Sequence, residues 1–325
     1  MGIKKLTKYL IQDNIVQPIH FKQLAYKKIA IDISILLYQI MISYRNNGDD
    51  LKNSSGKVIS HTLGIFNKTV WLISNNIIPI YIFDGKPPEF KQDILNNRRK
   101  IKELNLKKLE ECETEEDKIK YLKRTVSITE EYINETKEIL DLMGIPYIQA
   151  SGEADILCAK LSEDNIVDYV YTEDMDIFTF GASKIIKNLF TKKQTYLIDK
   201  LQILKKYDIT IKQFTIMCIL LGCDYHTINF KLTKDEAINL SKEYIMFKSI
   251  YYNNKKLNKY TIEKIYNYFN IDIDIDKYFD YIKFKSTNDD IINILKTKYE
   301  FNIEKITWKI NILNKNKKYL SNILI

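Results

Sequence analysis

The sequence predicts an α/β fold, a central and mostly parallel sheet flanked by helices with a helical C-terminal part. Three observations predict it. Short runs rich in Ile, Val, Leu, Met, Phe and Tyr at 29–33, 80–83, 167–171 and 216–221 are bounded by polar turns, as buried parallel strands or core helix ends are. Segments of helical length separate these runs. Carboxylates close most of them, and in an open α/β sheet the chemistry sits outside the carboxyl ends of the strands.

Taken in order, residues 1–85 read as a helix start, a strand at 29–33, a helix running to residue 44, a polar loop at 45–57, a helix near 59–76 and a strand at 78–83. The loop carries NNGDD and NSSG, both turn chemistry. Residues 86–137 change character. They are dense in Lys, Arg and Glu, with Ile94, Ile101, Leu104 and Leu109 at helical spacing, which predicts tandem amphipathic helices joined at the acidic turn ECETEED. An ordinary solvated helical pair fits the same pattern. Alternation resumes with a strand near 147–149, a helix at 152–164, a strand at 168–172 and further strands to about 198. From 205 onwards the chain reads as mostly helical, and its Lys-, Asn- and Tyr-rich composition is compatible with a nucleic-acid surface.

With 325 residues, 45% of them hydrophobic, the chain can bury a sizeable core and is not intrinsically disordered. Its formal charge of +8 favours an anionic partner, nucleic acid being the commonest. The four cysteines form no CxxC pair and only three histidines are present, so zinc is not expected and the thiols are read as free in a reducing compartment. No stretch is long and apolar enough to span a membrane. The opening MGIKKLTKYL lacks a signal-peptide core and has Leu6 where myristoylation needs Ser or Thr. A soluble intracellular protein, not a membrane partner, is expected. There is no GxxxxGK[ST] loop and no GxSxG elbow, which argues against a P-loop NTPase and an esterase.

Seven carboxylates then stand out: Asp32 in IAIDIS, Asp84 in YIFDGKPP, Glu153 and Asp155 in SGEAD, Asp174 and Asp176 in YTEDMD, and Asp224 in LLGCDY. Any one of them is as readily a solvated cap as a ligand, and Asp174 alone would pass for a helix N-cap. Delivered together to one sheet edge, they would repel each other unless a cation neutralised them. An all-oxygen set of this kind suits Mg²⁺ or Mn²⁺.

The segments MGI, DISILLYQ, YIFDGKPPEFK, LMGIPYI, GEADILCA, TEDMDIFTFG and ILLGCDY, in this order, resemble the flap endonuclease family of structure-specific 5′ nucleases. The resemblance runs from residue 1 to roughly 240, and more loosely to about 317. It implies a PIN-like fold and a Mg²⁺-dependent (Mn²⁺ substituting) two-metal site that hydrolyses phosphodiesters. Asp32, Asp84, Glu153 and Asp155 fall on positions for the first metal, and Asp174, Asp176 and Asp224 on positions for the second. Asp155 stands where many members have Glu, one methylene longer, so its ligation is expected through water.

Lys91 and Arg98, seven residues apart and hence on one helix face, fall on positions that steer the scissile phosphate. By spacing alone they would read as solvated cations. Tyr38 falls on a base-stacking position, though by spacing alone it would read as core, and Gly2 on one packed near the site after Met1 is removed. Where the family has Gly-Ile-Gly in a duplex-gripping hairpin, this chain has Lys231, Leu232 and Thr233. That argues against the family's K⁺ site and leaves Lys231 and Lys234 as simple phosphate contacts.

The implied organisation is an N-terminal nuclease region at 1–85, a helical arch at 86–137, an internal nuclease region with the hairpin at 138–240, and a helical C-terminal part at 241–325. The implied partner is branched or 5′-flap DNA, met by a monomer at sites of replication or repair. The final KKYLSNILI has no sliding-clamp motif, so clamp recruitment is not expected. The implied activity is a 5′ flap endonuclease and 5′→3′ exonuclease. A sister 5′ exonuclease, a junction resolvase and a catalytically impaired branched-DNA binder stay open as alternatives.

Overall fold

In chain order the regular elements of the computed structural model are α1 (Leu6–Gln12), β1 (Gln17–Pro18), β2 (Lys28–Asp32), α2 (Ile33–Tyr44), α3 (Ser60–Ser74), β3 (Ile78–Phe83), α4 (Gln92–Glu110), α5 (Glu115–Arg124), α6 (Glu130–Met143), β4 (Tyr147–Gln149), α7 (Ala154–Glu163), β5 (Tyr169–Tyr171), β6 (Lys184–Lys187), β7 (Tyr196–Asp199), α8 (Lys200–Tyr207), α9 (Ile211–Leu221), α10 (Lys234–Phe247), β8 (Tyr251–Tyr252), β9 (Lys255–Lys256), α11 (Lys259–Phe269), α12 (Ile291–Thr297) and α13 (Ile303–Ser321). The structure describes residues 2–45, 50–86, 92–225, 232–247, 251–252, 255–256 and 259–322. The fold is α/β, as the alternating apolar runs and helical segments predict. The run at 216–221, compatible with either a strand or a core helix end, is the C-terminal half of α9. No described helix is long and apolar enough to cross a membrane.

Two compact units organise the chain, each assembled from distant segments. The first comprises Met1–Gln23 and Gly152–Ile275. Its β5 pairs in parallel with β6, which pairs antiparallel with β7, and β7 pairs antiparallel with β1. Helix α9 follows a complete capping box: the Thr210 hydroxyl accepts from the Gln213 amide while the Gln213 side chain accepts from the Thr210 amide. Its residues from Phe214 to Leu221 are all buried, because α10 and α11 both pack against it. That burial on several sides is why the segment reads as an unbroken apolar run rather than as an amphipathic stripe.

The second unit comprises Leu24–Ser151 and Asp276–Ile325. Strands β2, β3 and β4 pair in parallel, with Ile31 opposite Tyr81 and Tyr81 opposite Tyr147. All six residues of β3 are buried. A parallel strand covered on both faces has no polar side to show, which explains the continuous run IPIYIF. Helix α6 begins on a Thr129 cap and stops at Gly144, whose φ of +63° is the left-handed turn that ends helices. A Cβ at Gly144 would also collide with the carbonyls of Lys285 and Ser286, so glycine is required there twice over. Helices α4 and α5 pack on each other. Helix α5 carries Glu115, Glu116 and Asp117 in its first turn and Lys123 and Arg124 in its last, complementing the helix dipole while burying none of its residues.

Candidate metal centre

The acids of the first unit are delivered by two short elements. After β5 the chain turns through 172–175 into a 3₁₀ turn at Asp176–Phe178. Local bonds hold that turn. The Asp174 amide donates to the Thr172 hydroxyl at 3.1 Å, the Met175 amide to Asp174 Oδ1 at 3.0 Å, and the Lys187 ammonium to the Glu173 carbonyl at 2.8 Å. Glu153 is the N-cap of α7 and Asp155 lies in its first turn, where the helix dipole favours negative charge.

These placements bring Asp155, Asp174 and Asp176 together. Each offers one carboxylate oxygen, and the three oxygens lie within 4.8 Å of one another. Asp176 is buried and the other two are half-buried. Three carboxylates this close repel strongly when ionised, and a hard divalent cation, which takes oxygen ligands, relieves that repulsion. The donor set therefore fits the Mg²⁺ or Mn²⁺ expected from the sequence. Gly2 completes the cradle. Its φ is +83°, and a Cβ there would overlap the Asp174 carboxylate.

Glu153 is buried and engaged differently. Its Oε2 accepts from the Tyr225 hydroxyl at 3.0 Å and from the Tyr268 hydroxyl at 2.6 Å. Burial, followed by the negative field of Asp176 and Glu153, pushes the Tyr225 phenol well above its ordinary value. Burial and its bond to Glu153 do the same for Tyr268. Both phenols are therefore neutral donors. Asp224 follows α9 and is half-buried, in a turn tied down by the Lys4 amide, which donates to the Gly222 carbonyl at 2.9 Å.

In the second unit, Asp32 ends β2 and caps α2, accepting from the Ser34 amide at 2.9 Å and the Ile35 amide at 3.3 Å. Asp84 follows the neighbouring strand β3, where its Oδ2 accepts from the Ser34 hydroxyl at 2.6 Å. Both acids thus lie at the carboxyl ends of adjacent parallel strands. Gln149, ending β4, donates to the Asp84 carbonyl at 2.6 Å.

The remaining predicted residues sit as follows. Tyr38 lies on α2 with 40% of its surface exposed. Arg98 lies on α4. Lys91 and Lys231 fall outside the described residues. Lys234 starts α10, donates to both carboxylate oxygens of Asp13 at 2.8 and 2.9 Å, and lies over the Tyr207 ring. Burial raises Asp13, but the bonds from Lys234 and Tyr207 outweigh it and hold the carboxyl below its ordinary value.

Three residues at these sites, Ser34, Tyr225 and Tyr268, escape sequence reasoning. Ser34 and Tyr225 stand beside predicted acids in DIS and CDY, which is the signal that could have found them. Tyr268, in IYNYFN, has none.

The XPG N-terminal domain family matches residues 1–138 and the XPG I-region family residues 144–224. The chain is 37% identical over 280 residues to Flap endonuclease 1 of Glossina morsitans morsitans, spanning 82% of this chain and 72% of that relative. It is 38% identical over 236 residues to Flap endonuclease 1 of Chlamydomonas reinhardtii, spanning 69% of this chain but only 59% of that one. Among solved structures, flap endonuclease-1 from Methanococcus jannaschii matches with a TM-score of 0.72 at 27% identity, over 94% of this chain and 96% of that chain.

Proposed function

Because this chain belongs to the flap endonuclease family of nucleases, we propose that it is a Mg²⁺-dependent, structure-specific 5′ flap endonuclease and 5′→3′ exonuclease acting on branched DNA in replication, repair or recombination. The observation that carries this reading is the convergence of Asp155, Asp174 and Asp176, with one carboxylate oxygen of each within 4.8 Å of the others, a donor set suited to a hard cation. Family membership brings Asp32, Asp84, Glu153 and Asp224 into the ligand set, four further acids at strand or helix ends.

When bound, divalent ions supply a water acidified to near neutrality, charge neutralisation at the phosphate and stabilisation of the leaving oxygen. The chain's own residues do the rest. The carboxylates set where positive charge is held, and the local bonds to Asp174 and Asp32 fix those side chains before substrate arrives. The half-exposed ring of Tyr38 offers a face for stacking the base beside the cut. Lys91 and Arg98 draw the scissile phosphate to the acids by charge. Helices α4 and α5 form the arch, their solvated surfaces leaving a passage for a single-stranded 5′ end. With Lys231, Leu232 and Thr233 in place of the hairpin glycines, cutting needs no K⁺, and Lys231 and Lys234 are the phosphate contacts of that segment.

The test is a labelled 5′-flap duplex incubated with the full chain, with and without Mg²⁺, beside Asp176→Ala. Metal-dependent cutting at the flap base is expected. In the variant it drops by about 10²-fold or more, the scale of losing a group that stabilises transition-state charge. Tight binding without cutting would overturn the enzyme reading and leave a branched-DNA binder. Preferential cutting of four-way junctions would overturn the substrate assignment alone.

A further inference from the structure

We propose that Tyr268 of α11 is a positioning residue of the nuclease site, its hydroxyl setting the orientation in which the Glu153 carboxylate meets a metal ion. The proposal rests on the metal-dependent nuclease reading and adds a residue from outside the segments that match the XPG families, which end at residue 224.

Glu153 occupies the N-cap position of α7, yet its side chain makes no capping bond to the helix. The buried carboxylate is bonded to two phenols instead. Tyr268 donates to Oε2 at 2.6 Å and Tyr225 donates to the same oxygen at 3.0 Å. A carboxylate oxygen has two lone-pair sites, and two donors fill those of Oε2. A second bond also removes the rotation about the terminal torsion that one bond would leave.

The phenols themselves are held by a box of rings. Tyr268 meets Phe180 edge-on with centroids 5.6 Å apart, and lies 5.1 Å from Tyr225. Phe269 stands edge-on to Phe180 at 5.0 Å and to Tyr225 at 5.3 Å. Edge-to-face contacts of this kind are directional, so each hydroxyl is held where its ring places it. Partners of a ligand that fix its orientation matter nearly as much to a metal as the ligand itself. Helix α11 packs on α9, whose C-terminal end presents Asp224 and Tyr225. The helical segment after the hairpin is thereby part of the metal-binding apparatus.

Tyr268→Phe keeps the ring and removes only the donor. Mn²⁺ is titrated into the full chain without DNA, and free Mn²⁺ is read by electron paramagnetic resonance. Thermal unfolding of the metal-free protein and flap-DNA binding in EDTA are measured alongside. The expected result is a loss of Mn²⁺ affinity of about 10-fold or more, the usual scale for removing such a partner. Metal-free unfolding and DNA affinity should stay near wild type, which a merely structural role would not produce. Unchanged or tighter Mn²⁺ binding overturns the proposal while leaving the nuclease reading intact. A wild-type chain that neither binds Mn²⁺ nor cuts overturns both. Should Tyr268→Phe lose its fold, Tyr268→Met removes the same donor with a side chain of different shape, and an unchanged Mn²⁺ affinity there overturns the proposal.

Discussion

At position 2 a single missing carbon decides whether Asp174 can stand where it does. The backbone is left-handed, and any Cβ would overlap the carboxylate. Gly2→Ala is therefore expected to act twice. Strain at positive φ costs roughly 1 kcal/mol or more of stability, visible in metal-free thermal unfolding. Displacement of Asp174 raises the Mg²⁺ concentration for half-maximal cutting. An unchanged Mg²⁺ requirement would show that Asp174 tolerates the displacement. Asp155 makes the complementary point. Its side chain is one methylene shorter than Glu, yet from the first turn of α7 it still brings an oxygen into the group with Asp174 and Asp176. Lys234, expected from its place beside the altered hairpin to meet phosphate, is bonded twice to Asp13 within the fold.

Among the elements, α4 and α5 differ from all the core helices. Helix α5 buries nothing, and Ile101 and Leu104 of α4 are each 58% exposed. Bonds that tie the pair to the rest of its unit include Lys102 donating to the Ser127 hydroxyl and Arg45 donating to the Leu122 carbonyl at 2.8 Å. A helical pair whose described residues are so largely solvated suits a passage for a strand, and this gives the arch assignment a direct test. A flap whose 5′ terminus carries a streptavidin-bound biotin before protein is added should be cut far more slowly than the free flap. Adding streptavidin after the complex has formed should slow cutting much less. Equal rates on free and pre-blocked flaps would rule out threading. Helix α9 marks the opposite limit, an element buried so completely that its apolar run could not be distinguished from a strand by period. Its length, and the Thr210–Gln213 box at its start, are the features that identify a helix.

For the whole molecule, pH stability turns on a buried histidine in the second unit. His61 is fully buried on α3, with Nε2 2.7 Å from Glu135 of α6 and its ring stacked on Tyr132 at 4.2 Å. Lys57 pairs with the same Glu135. Burial pushes His61 below its ordinary value of 6.5, and the bond to Glu135 only partly opposes this. The folded state then binds fewer protons than the unfolded chain, so stability rises with pH through this window. It is fully present above 6.5 and is lost as pH falls through the lower, folded value. The melting temperature should decline with acid below pH 6.5, and His61→Asn should flatten that part of the profile. A wild-type profile without this slope would show that Glu135 compensates for burial after all.

Much of this was written in the linear chain, for identifiable reasons. Strands β2 and β3 are legible because a parallel strand buried on both faces must be apolar throughout, and Asp32 and Asp84 are legible because polar residues then mark where such runs stop. The Asp174–Asp176 pair is legible for the same reason after β5. Tyr268 was not legible. Its bond to Glu153 spans 115 positions, and a tyrosine in a stretch rich in Tyr and Asn carries no period or spacing that points anywhere. By itself the sequence determined the α/β class, the family and the acids, since hydrophobic period and run-ending charge are local properties. Only the tertiary structure decided that Asp155 joins Asp174 and Asp176, that Glu153 accepts from two phenols, and that Lys234 pairs with Asp13. Each of those pairings follows from directional contacts between distant segments, and such contacts come into being only when the chain has folded.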